Sequence, residues 1–394
     1  MRIESVDFFY LRMPEVLDIG DGSQDATLVR VTAGGLVGWG QCEASPLTSI
    51  AAFVCPLSHS ACKPVSASVL GQTLNTPDDI VRIGNAVRSA SLDLLQAEHT
   101  LSGIDIALWD LLGKQRGEPV WRLLGYQQAY PKLPYASVLF GDTAQETLEK
   151  ARRSRAAGFR AGKFGWGPFG QGTAAADRDQ IMAAREGLGP DGIVLIDAGT
   201  IWNEDIDRAC ERIAALREAR VTWIEEPFHT GALNAYAALA RQCGPVRVAG
   251  GEGSHNVHMA RHLIDHGGIG FVQIDTGRIG GITPAKQVAD YACNTGVTYV
   301  NHTFTSQLSL SASLQPYAGM REHELCEYPT ESKPLSAQLT RERLLPDGNG
   351  MIQIPVTPGL GMTPDESVIA RYLVDAEIRV GGSVLYKTPA ITGR

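Results

Sequence analysis

VTWIEEP, at residues 221–227, is a short apolar run that ends in two carboxylates and a proline. The same form recurs on either side of it, as IVLIDAG at 193–199 and VRVAGGE at 246–252. The segments between these runs, such as NEDIDRACERIAALREA at 203–219, have the period of amphipathic helices. Apolar strands that alternate with such helices predict βα units and a parallel sheet.

The alternation extends in both directions along the chain and gives eight units of this kind. The predicted strands are 133–141, 161–165, 193–199, 221–227, 246–252, 271–277, 298–303 and 323–329. Eight βα units in one run fit a closed barrel of the TIM type better than an open sheet. We expect this barrel to span residues 131–335.

The first 130 residues have a different pattern, which mixes strands and helices. The predicted elements are a strand at 26–32 with a Gly34-Gly35 hairpin turn, a long loop at 44–64, and helices at 78–98 and 102–116. Ser102 is the predicted N-cap of the second helix, and Gly117 is its predicted end. Residues 336–394 include a short segment rich in Pro and Gly, and we expect them to return to the N-terminal domain.

The composition excludes several classes of protein. The 394 residues carry a net charge of −8 with both signs mixed along the chain, so no basic stripe suited to nucleic acid is present. Charged residues interrupt the first 16 positions, no apolar run is long enough to span a bilayer, and the seven scattered cysteines include no CxxC pair. We therefore expect a cytoplasmic protein that binds no membrane and has no disulfide framework or zinc site.

The predicted strands end in charged side chains at nearly equal intervals. Each step from one such residue to the next is 23 to 28 residues long, about one βα unit. From the third strand to the eighth, the residues are Asp197, Glu225 with Glu226, Glu252, Asp275, His302 and Glu327. Because the C-terminal ends of barrel strands share one mouth, this spacing gathers carboxylates and one imidazole around a single opening.

Such a cluster of like charges needs a cation. Two unit charges about 4 Å apart repel by roughly 4 kcal/mol at an effective dielectric of 20. Asp197, Glu225 and Glu252 offer hard oxygen ligands on separate strands, which suit Mg²⁺. Each carboxylate taken alone could equally be solvated or could cap the following helix. It is the complete set, at one spacing, that predicts a metal site.

Two further residues predict chemistry at the same mouth. Lys163 lies on the second strand, where it could neutralise a substrate carboxylate or its enediolate; an exposed lysine on the barrel rim is the alternative. His302 ends the seventh strand, next to the strand that carries Asp275. An Asp–His pair would fix the imidazole tautomer and raise its basicity, whereas a lone histidine is more often structural.

These motifs resemble those of mandelate racemase-type enzymes of the enolase superfamily. The matching stretches are WIEEP (223–227), AGGE (249–252), QIDTGRIGGIT (273–283), NHT (301–303), DIALWDLLGKQRGEPVWRLLG (105–125) and PGLGMTPDE (358–366). The resemblance covers nearly the whole chain. It implies an α/β protein with a modified TIM barrel of the (β/α)₇β type at 131–335. An α+β capping domain at 1–130, completed by the C-terminal segment 336–394, would cover this barrel.

The resemblance also implies a role for each site residue. The roles are the binding of one Mg²⁺ per subunit for Asp197, Glu225 and Glu252, the general base for His302 with Asp275, and the electrophilic carboxyl for Glu327. Two positions depart from the family pattern. Gly165 stands where a second basic residue usually follows Lys163, and Gly199 stands where an Asn usually follows the metal-binding Asp. The first departure argues against racemisation, and the second leaves the substrate contacts open.

From these features we expect a dehydratase of an acid sugar. His302 would take the proton alpha to the carboxylate, and Mg²⁺, Lys163 and Glu327 would stabilise the enediolate. Loss of the β-hydroxyl would then give a 2-keto-3-deoxy acid. An epimerase, racemase or cycloisomerase of the same superfamily is the alternative, and a non-catalytic metal-binding barrel is the alternative from another class.

The substrate is expected to be a small carboxylate bound under two capping loops, 14–26 and 44–64. The polar side chains that these loops offer are Asp18, Asp21, Ser45, Thr48 and His59. The sequence does not choose among hexarates, hexonates, pentonates and acids that are not sugars. We also expect the subunits to form a homo-oligomer.

Overall fold

The computed structural model describes residues 1–20 and 22–391. Its N-terminal region is an antiparallel three-stranded sheet with helices packed against it. The strands are β1 (Ile3–Leu11), β2 (Ala26–Ala33) and β3 (Leu36–Cys42). The helices are α1 (Pro46–Val54), α2 (Ser66–Val69), α3 (Pro77–Ala90), α4 (Ala97–Arg116) and α5 (Val120–Leu123).

Helix α4 packs so closely on the sheet that the backbone of the helix contacts the backbone of β3. A Cβ atom at Gly38 or Gly40 of β3 would lie 2.0 Å from a carbonyl oxygen of this helix, so only glycine permits the close approach. The predicted end of α4 at Gly117 is confirmed, with φ 69° in the left-handed region. The predicted start at Ser102 was wrong, because its hydroxyl donates to Glu98 O one turn earlier, inside the helix.

The loop predicted at 44–64 was also wrong, since α1 occupies part of it. Pro46 stands at the start of this helix, and Ile50 and Phe53 are buried. Its short length and uniformly apolar or small residues hide the helical period. The helix predicted at 78–98 ends earlier than expected, at Ala90.

Eight parallel strands form the second region. They are β4 (Leu133–Leu139), β5 (Ala161–Gly165), β6 (Ile193–Asp197), β7 (Trp223–Glu225), β8 (Arg247–Gly250), β9 (Phe271–Asp275), β10 (Thr298–His302) and β11 (Leu325–Pro329). From β4 to β10, neighbours in the chain pair in parallel, and β11 pairs with β4. The helices between them are α6 (Ala144–Ala156), α7 (Ala174–Leu188), α8 (Ile206–Cys210), α9 (Ile213–Glu218), α10 (Leu233–Cys243), α11 (Val257–His266), α12 (Ile282–Thr295) and α13 (Gln307–Leu314). The predicted modified TIM barrel is confirmed.

Side chains join β10 to β11, the two ends of the backbone ladder. Asn301 Oδ1 accepts hydrogen bonds from the backbone N–H of Glu327 at 3.0 Å and from the Tyr317 hydroxyl at 2.9 Å. Glu327 Oε2 in turn accepts from the backbone N–H of Thr303 at 2.7 Å. We call these contacts the seam. They place Glu327, a predicted catalytic residue, in the closure of the barrel.

The C-terminal segment returns to the N-terminal sheet. Its elements are α14 (Pro334–Gln338), α15 (Glu366–Tyr372), β12 (Glu377–Val380) and β13 (Ser383–Lys387). The Tyr386 hydroxyl donates to Phe8 O at 2.8 Å, and Arg30 Nη2 donates to Ala390 O at 2.9 Å. Within the described residues, no helix combines the length and apolar character that crossing a membrane requires. The exact domain limits at 130 and 335 stay a prediction.

Candidate active site

A cavity of about 540 Å³ lies at the C-terminal ends of the barrel strands, beneath the N-terminal region. The charged residues that line its barrel side are Lys163, Asp197, Glu252, Arg278 and His302. The N-terminal region contributes Val16, Gly20, Gly22, Gln24, Asp25 and residues 43–46. The cavity therefore combines strand-end side chains of the barrel with loops of the capping domain.

Lys163 lies at the centre of the carboxylate cluster. Its Nζ is 2.7 Å from Glu225 Oε1, 2.9 Å from Glu327 Oε1 and 3.3 Å from Asp197 Oδ2. The side chain is buried, so it is not an exposed lysine of the rim. Burial alone would lower the pKa of Lys163, but Glu225 and Glu327 outweigh it and hold this pKa well above its ordinary value.

The three predicted metal ligands lie at neighbouring strand ends but pair with cations of the protein. Lys163 forms ion pairs with both Asp197 and Glu225. Glu252 lies 3.0 Å from Arg278 Nη1 and 3.1 Å from His302 Nε2. As the side chains stand, no three His, Cys, Asp or Glu residues in the described part of the chain form a metal-ligand cluster.

The charge balance at the mouth nevertheless fits a divalent cation. Six carboxyl groups, Asp197, Glu225, Glu226, Glu252, Asp275 and Glu327, share the site with three cationic groups, Lys163, Arg278 and His302. Burial and then neighbouring carboxylates raise the pKa of Glu225 to about 8. Glu226 Oε1 is buried with no hydrogen-bond partner in the described residues. A surplus of negative charge on hard oxygen donors is what Mg²⁺ would neutralise.

His302 and Asp275 form a hydrogen-bonded pair. His302 Nδ1 lies 2.7 Å from Asp275 Oδ2, and Asp275 Oδ1 accepts from the backbone N–H of Gly277 at 2.6 Å. Asp275 thus fixes the ring so that Nε2 faces the cavity. Burial alone would lower the pKa of His302, but the carboxylates of Glu252 and Glu327 outweigh burial and raise this pKa to about 10. The imidazole can act as a base only when Nε2 is released from Glu252.

Glu327 is fixed from three sides at the eighth strand. The Ser137 hydroxyl donates to its Oε1 at 2.9 Å, Lys163 contacts the same oxygen, and Thr303 N–H donates to Oε2. His302 Nε2 lies 3.8 Å from Oε2. Glu327 therefore stands between the imidazole and the ammonium group, the two groups expected to act on the substrate.

Both glycines that depart from the family pattern adjoin the site. A Cβ atom at Gly165 would lie 2.7 Å from the Cβ of Asp197, so a side chain there would displace a predicted ligand. Gly199 has φ 54°, and a Cβ there would lie 3.0 Å from the indole of Trp166. The indole thus occupies the space that an Asn at 199 would need.

Sequence reasoning missed two charged residues of the site. Arg278 contacts Glu252 and lies 3.7 Å from Glu43, a capping-domain residue. Arg278 follows Asp275 by three positions in QIDTGRIGG, and that nearness to a strand end was the available signal. Glu43 gave no signal, because its place over the barrel depends on how the two regions pack.

The polar residues proposed for the capping loops are distributed unevenly. Ser45 lines the cavity, whereas Thr48 donates to Ser45 O and His59 pairs with Asp93 on the surface. Asp18 is exposed and does not line the cavity. Asp21 lies outside the described residues.

Comparison with known proteins identifies the family. Residues 146–368 match the family described as enolase C-terminal domain-like, and residues 11–125 match the N-terminal domain of the mandelate racemase and muconate lactonizing enzyme family. The chain belongs to the mandelate racemase and muconate lactonizing enzyme family of the enolase superfamily. The mandelate racemase-type assignment made from the motifs is therefore confirmed.

The relatives of this enolase-superfamily chain differ in the reactions that they are named for. The chain is 31% identical over 353 residues to D-galactarolactone cycloisomerase from Agrobacterium fabrum, covering 86% of this chain and 88% of that protein. It is 26% identical to arabinonate dehydratase from Saccharolobus solfataricus, covering 69% and 71%. A crystal structure described as a predicted mandelate racemase from Rhodobacter sphaeroides is 60% identical, with a TM-score of 0.95 and coverage of 98% and 99%.

Proposed function

We propose that this enzyme is a Mg²⁺-dependent hydro-lyase that dehydrates an acid sugar. One observation carries the proposal: the His302–Asp275 pair faces the cavity, whereas a side chain at Gly165 would collide with Asp197. A single base suits elimination better than racemisation, which is easiest with a base on each face of the enediolate.

The residues of this chain divide the reaction among them. His302 Nε2, once released from Glu252, takes the proton alpha to the substrate carboxylate, while Asp275 holds the tautomer. The ammonium group of Lys163, held beside Glu327, supplies positive charge for the enediolate. His302 then returns a proton to the departing β-hydroxyl, and the enol product becomes a 2-keto-3-deoxy acid.

The metal would be held by Asp197, Glu225 and Glu252, which present carboxylate oxygens at three adjacent strand ends. When bound, Mg²⁺ supplies Lewis-acid stabilisation of the charge that develops on the substrate carboxylate. Arg278 keeps Glu252 near the mouth through its 3.0 Å contact.

The test is exchange of the alpha proton in deuterated water, measured across a panel of acid sugars together with keto-acid formation. We expect exchange and keto acid with Mg²⁺, and neither in chelator. His302→Asn should abolish both, whereas His266→Asn, an exposed histidine on α11, should retain them. Full activity in chelator, or exchange that survives His302→Asn, would contradict the proposal.

A cycloisomerase is the second candidate, because a 31% identical relative carries that name. Proton abstraction beside a carboxylate would be common to both reactions. Mass spectrometry separates them, since dehydration removes water from the substrate and isomerisation leaves its mass unchanged. Interconversion of two stereoisomers without keto acid would instead indicate an epimerase, and absence of exchange with every acid would indicate a non-catalytic metal-binding barrel.

A further inference from the structure

The positive side chains of the cavity all lie on one of its two sides. Among the described residues that line it, Lys163, Arg278 and His302 lie on the barrel side, together with the carboxylates of Asp197 and Glu252. The capping side contributes two carboxylates and an amide in the polar residues Gln24, Asp25 and Glu43. A substrate carboxylate therefore finds its counter-charges at the barrel end, and its far end meets negative charge.

Glu43 is held firmly at the capping end. Its backbone N–H donates to Gly277 O at 3.0 Å, and Gln24 Nε2 donates to its Oε1 at 2.6 Å. Arg278 lies 3.7 Å from this carboxylate but makes its closer contact, at 3.0 Å, with Glu252. The Glu43 carboxylate and the Gln24 carbonyl oxygen are therefore available as acceptors for a ligand at this end, beside the Ser45 hydroxyl.

Asp25 adds negative charge without being free to bind. Its Oδ2 accepts from the Tyr10 hydroxyl at 2.7 Å, and its Oδ1 accepts from the backbone N–H of Met13 at 2.8 Å. These bonds anchor the capping segment to β1. A hydroxyl group at this end can donate to Glu43 and Gln24, whereas a second carboxylate would face like charge. Arg278, the lining cation 3.7 Å from Glu43, is already paired with Glu252.

An indole forms one wall of the cavity. Trp166 has φ 57° and is 47% exposed. A Cβ atom at Gly20 or at Gly199 would lie 3.0 Å from its ring, so glycine on both sides makes room for the indole. An aromatic face of this kind can cover the apolar C–H face of a carbon chain or sugar ring.

We propose that the substrate is a monocarboxylate whose far end is uncharged and carries hydroxyl groups. Glu43 and Gln24 accept hydrogen bonds from those hydroxyls, and Trp166 packs against the carbon skeleton. Acids with a carboxylate at both ends are rejected. This inference rests on the proposed function, which places the reacting carboxylate at the barrel end.

The test compares matched pairs of acid sugars, an aldonate and the aldarate of the same configuration. Each pair differs only at the far carbon, which is a hydroxymethyl group in one and a carboxylate in the other. Binding is measured by calorimetry on the Mg²⁺-loaded His302→Asn variant, so that turnover does not interfere. Measurements at pH 8 lie above the pKa of Glu43, which burial and Asp275 raise to about 7.

We expect the preferred aldonate to bind at least about tenfold more tightly than its aldarate, a difference of about 1.4 kcal/mol. Aldarates that bind as tightly as their partners, or aldonates that fail to bind at all, would overturn the proposal. Exchange of the alpha proton separates this outcome from the function. Exchange with dicarboxylates alone would keep the proposed function and reject the substrate class. Aldonate binding without any exchange would keep the substrate class and reject the proposed function.

Two variants locate the selectivity at the capping end. Glu43→Gln keeps the side-chain shape, removes the charge and should reduce the preference for aldonates by about tenfold. Gln24→Arg should shift the preference toward aldarates, because it introduces a counter-charge. Gln145→Arg, which adds the same charge at an exposed site on α6, is the control. A preference that stays constant in both cavity variants would overturn the assignment of Glu43 and Gln24.

Discussion

The φ angle of Gly165 lies outside the left-handed region, so its backbone conformation does not require glycine. What requires glycine here is the lack of space for a side chain. Its Cα faces Asp197, and an added Cβ would come within 3.1 Å of Asp197 Oδ2. Asp197 is also held by the backbone N–H of Gly199 at 2.9 Å and by Lys163, so it has little room to yield. Single-residue changes here should act on the proposed metal site before they act on the fold.

We predict that Gly165→Ala raises the dissociation constant for Mg²⁺ by at least about tenfold, roughly 1.4 kcal/mol, because the new methyl group displaces Asp197. Calorimetric titration with Mg²⁺ measures this without any substrate. Gly348→Ala is the matched control, since its Cβ meets nothing within 4 Å and its φ is unrestricted. Unchanged Mg²⁺ affinity in Gly165→Ala would argue that Asp197 is not a ligand.

The sequence predicted the site residues that lie on strands and missed those that depend on packing between regions. Asp197 and Glu225 end barrel strands, so the βα period by itself is enough to place them at one mouth. Arg278 lies in a turn beyond its strand, and Glu43 reaches the mouth only because its backbone N–H bonds to Gly277 O. No period along the chain records such a contact between regions.

Among the elements, the seam between β10 and β11 depends most on side chains. Asn301 is fully buried and uses both ends of its amide, since Oδ1 accepts from Glu327 N–H and Tyr317, and Nδ2 donates to Ser313 Oγ. Removing the amide leaves buried polar groups without partners.

We predict that Asn301→Ala lowers the free energy of unfolding by about 2 to 5 kcal/mol, from roughly 1–3 kcal/mol for each buried group left unpaired. Thermal unfolding measures the loss, and hydrogen exchange should locate it at the β10 and β11 amides. Asn349→Ala, an exposed asparagine, should change neither. Wild-type protection of the β11 amides in Asn301→Ala would show that the seam does not need this side chain.

The capping segment 14–26 contacts aromatic rings from two sides of the barrel mouth. Gly20 lies against Trp166, and Gly22 lies against Phe304, where a Cβ would be 2.8 Å from Cδ1. We predict that Gly22→Ala lifts this segment, raising KM for the substrate about tenfold while leaving Mg²⁺ affinity unchanged.

The control separates steric collision from backbone strain. Gly35→Ala has a similar φ of 75° in a hairpin turn, but its Cβ meets nothing within 4 Å. It should leave KM unchanged, and hydrogen exchange in residues 14–26 should increase only in Gly22→Ala. Equal effects of the two substitutions would mean that strain, and not contact with Phe304, governs the segment.

Element prediction succeeded where the pattern was periodic and failed where uniform composition or uniform exposure removed the period. The barrel strands and the Gly34-Gly35 turn followed from apolar runs and turn residues. Helix α1 was missed because its residues are almost uniformly apolar or small, and the β12–β13 hairpin was missed because its residues are mostly exposed.

At the scale of the whole molecule, two histidines connect the capping domain to the barrel. Gln96 Nε2 donates to His99 Nδ1 at 2.6 Å, which leaves His99 Nε2–H to donate to His255 Nδ1 at 3.0 Å. Burial and the neighbouring His255 lower the pKa of His99 to about 4. The bond from Gln96 therefore requires a neutral His99, because a protonated Nδ1 cannot accept it.

This contact should make stability fall in mild acid. Between pH 6.5 and 4 the unfolded chain protonates at His99 while the folded chain does not, so the free energy of unfolding decreases as pH falls. His99→Gln should remove this contribution, so that its deficit relative to the wild type shrinks by up to about 1.4 kcal/mol per pH unit. Denaturant unfolding at several pH values measures it, with the exposed His262→Gln as control. A constant deficit would exclude a role for His99 titration.

The return of the C-terminal segment to β1 sets an order of events during protein synthesis. Residues 133–329 leave the ribosome with every barrel strand, whereas the Tyr386 hydroxyl that binds Phe8 O emerges later. Strand β1 is therefore completed only by residues that are made after every barrel strand. A nascent chain can therefore form its barrel before the capping domain is complete. We expect ribosome-bound chains stalled short of Tyr386 to acquire barrel structure ahead of substrate selectivity.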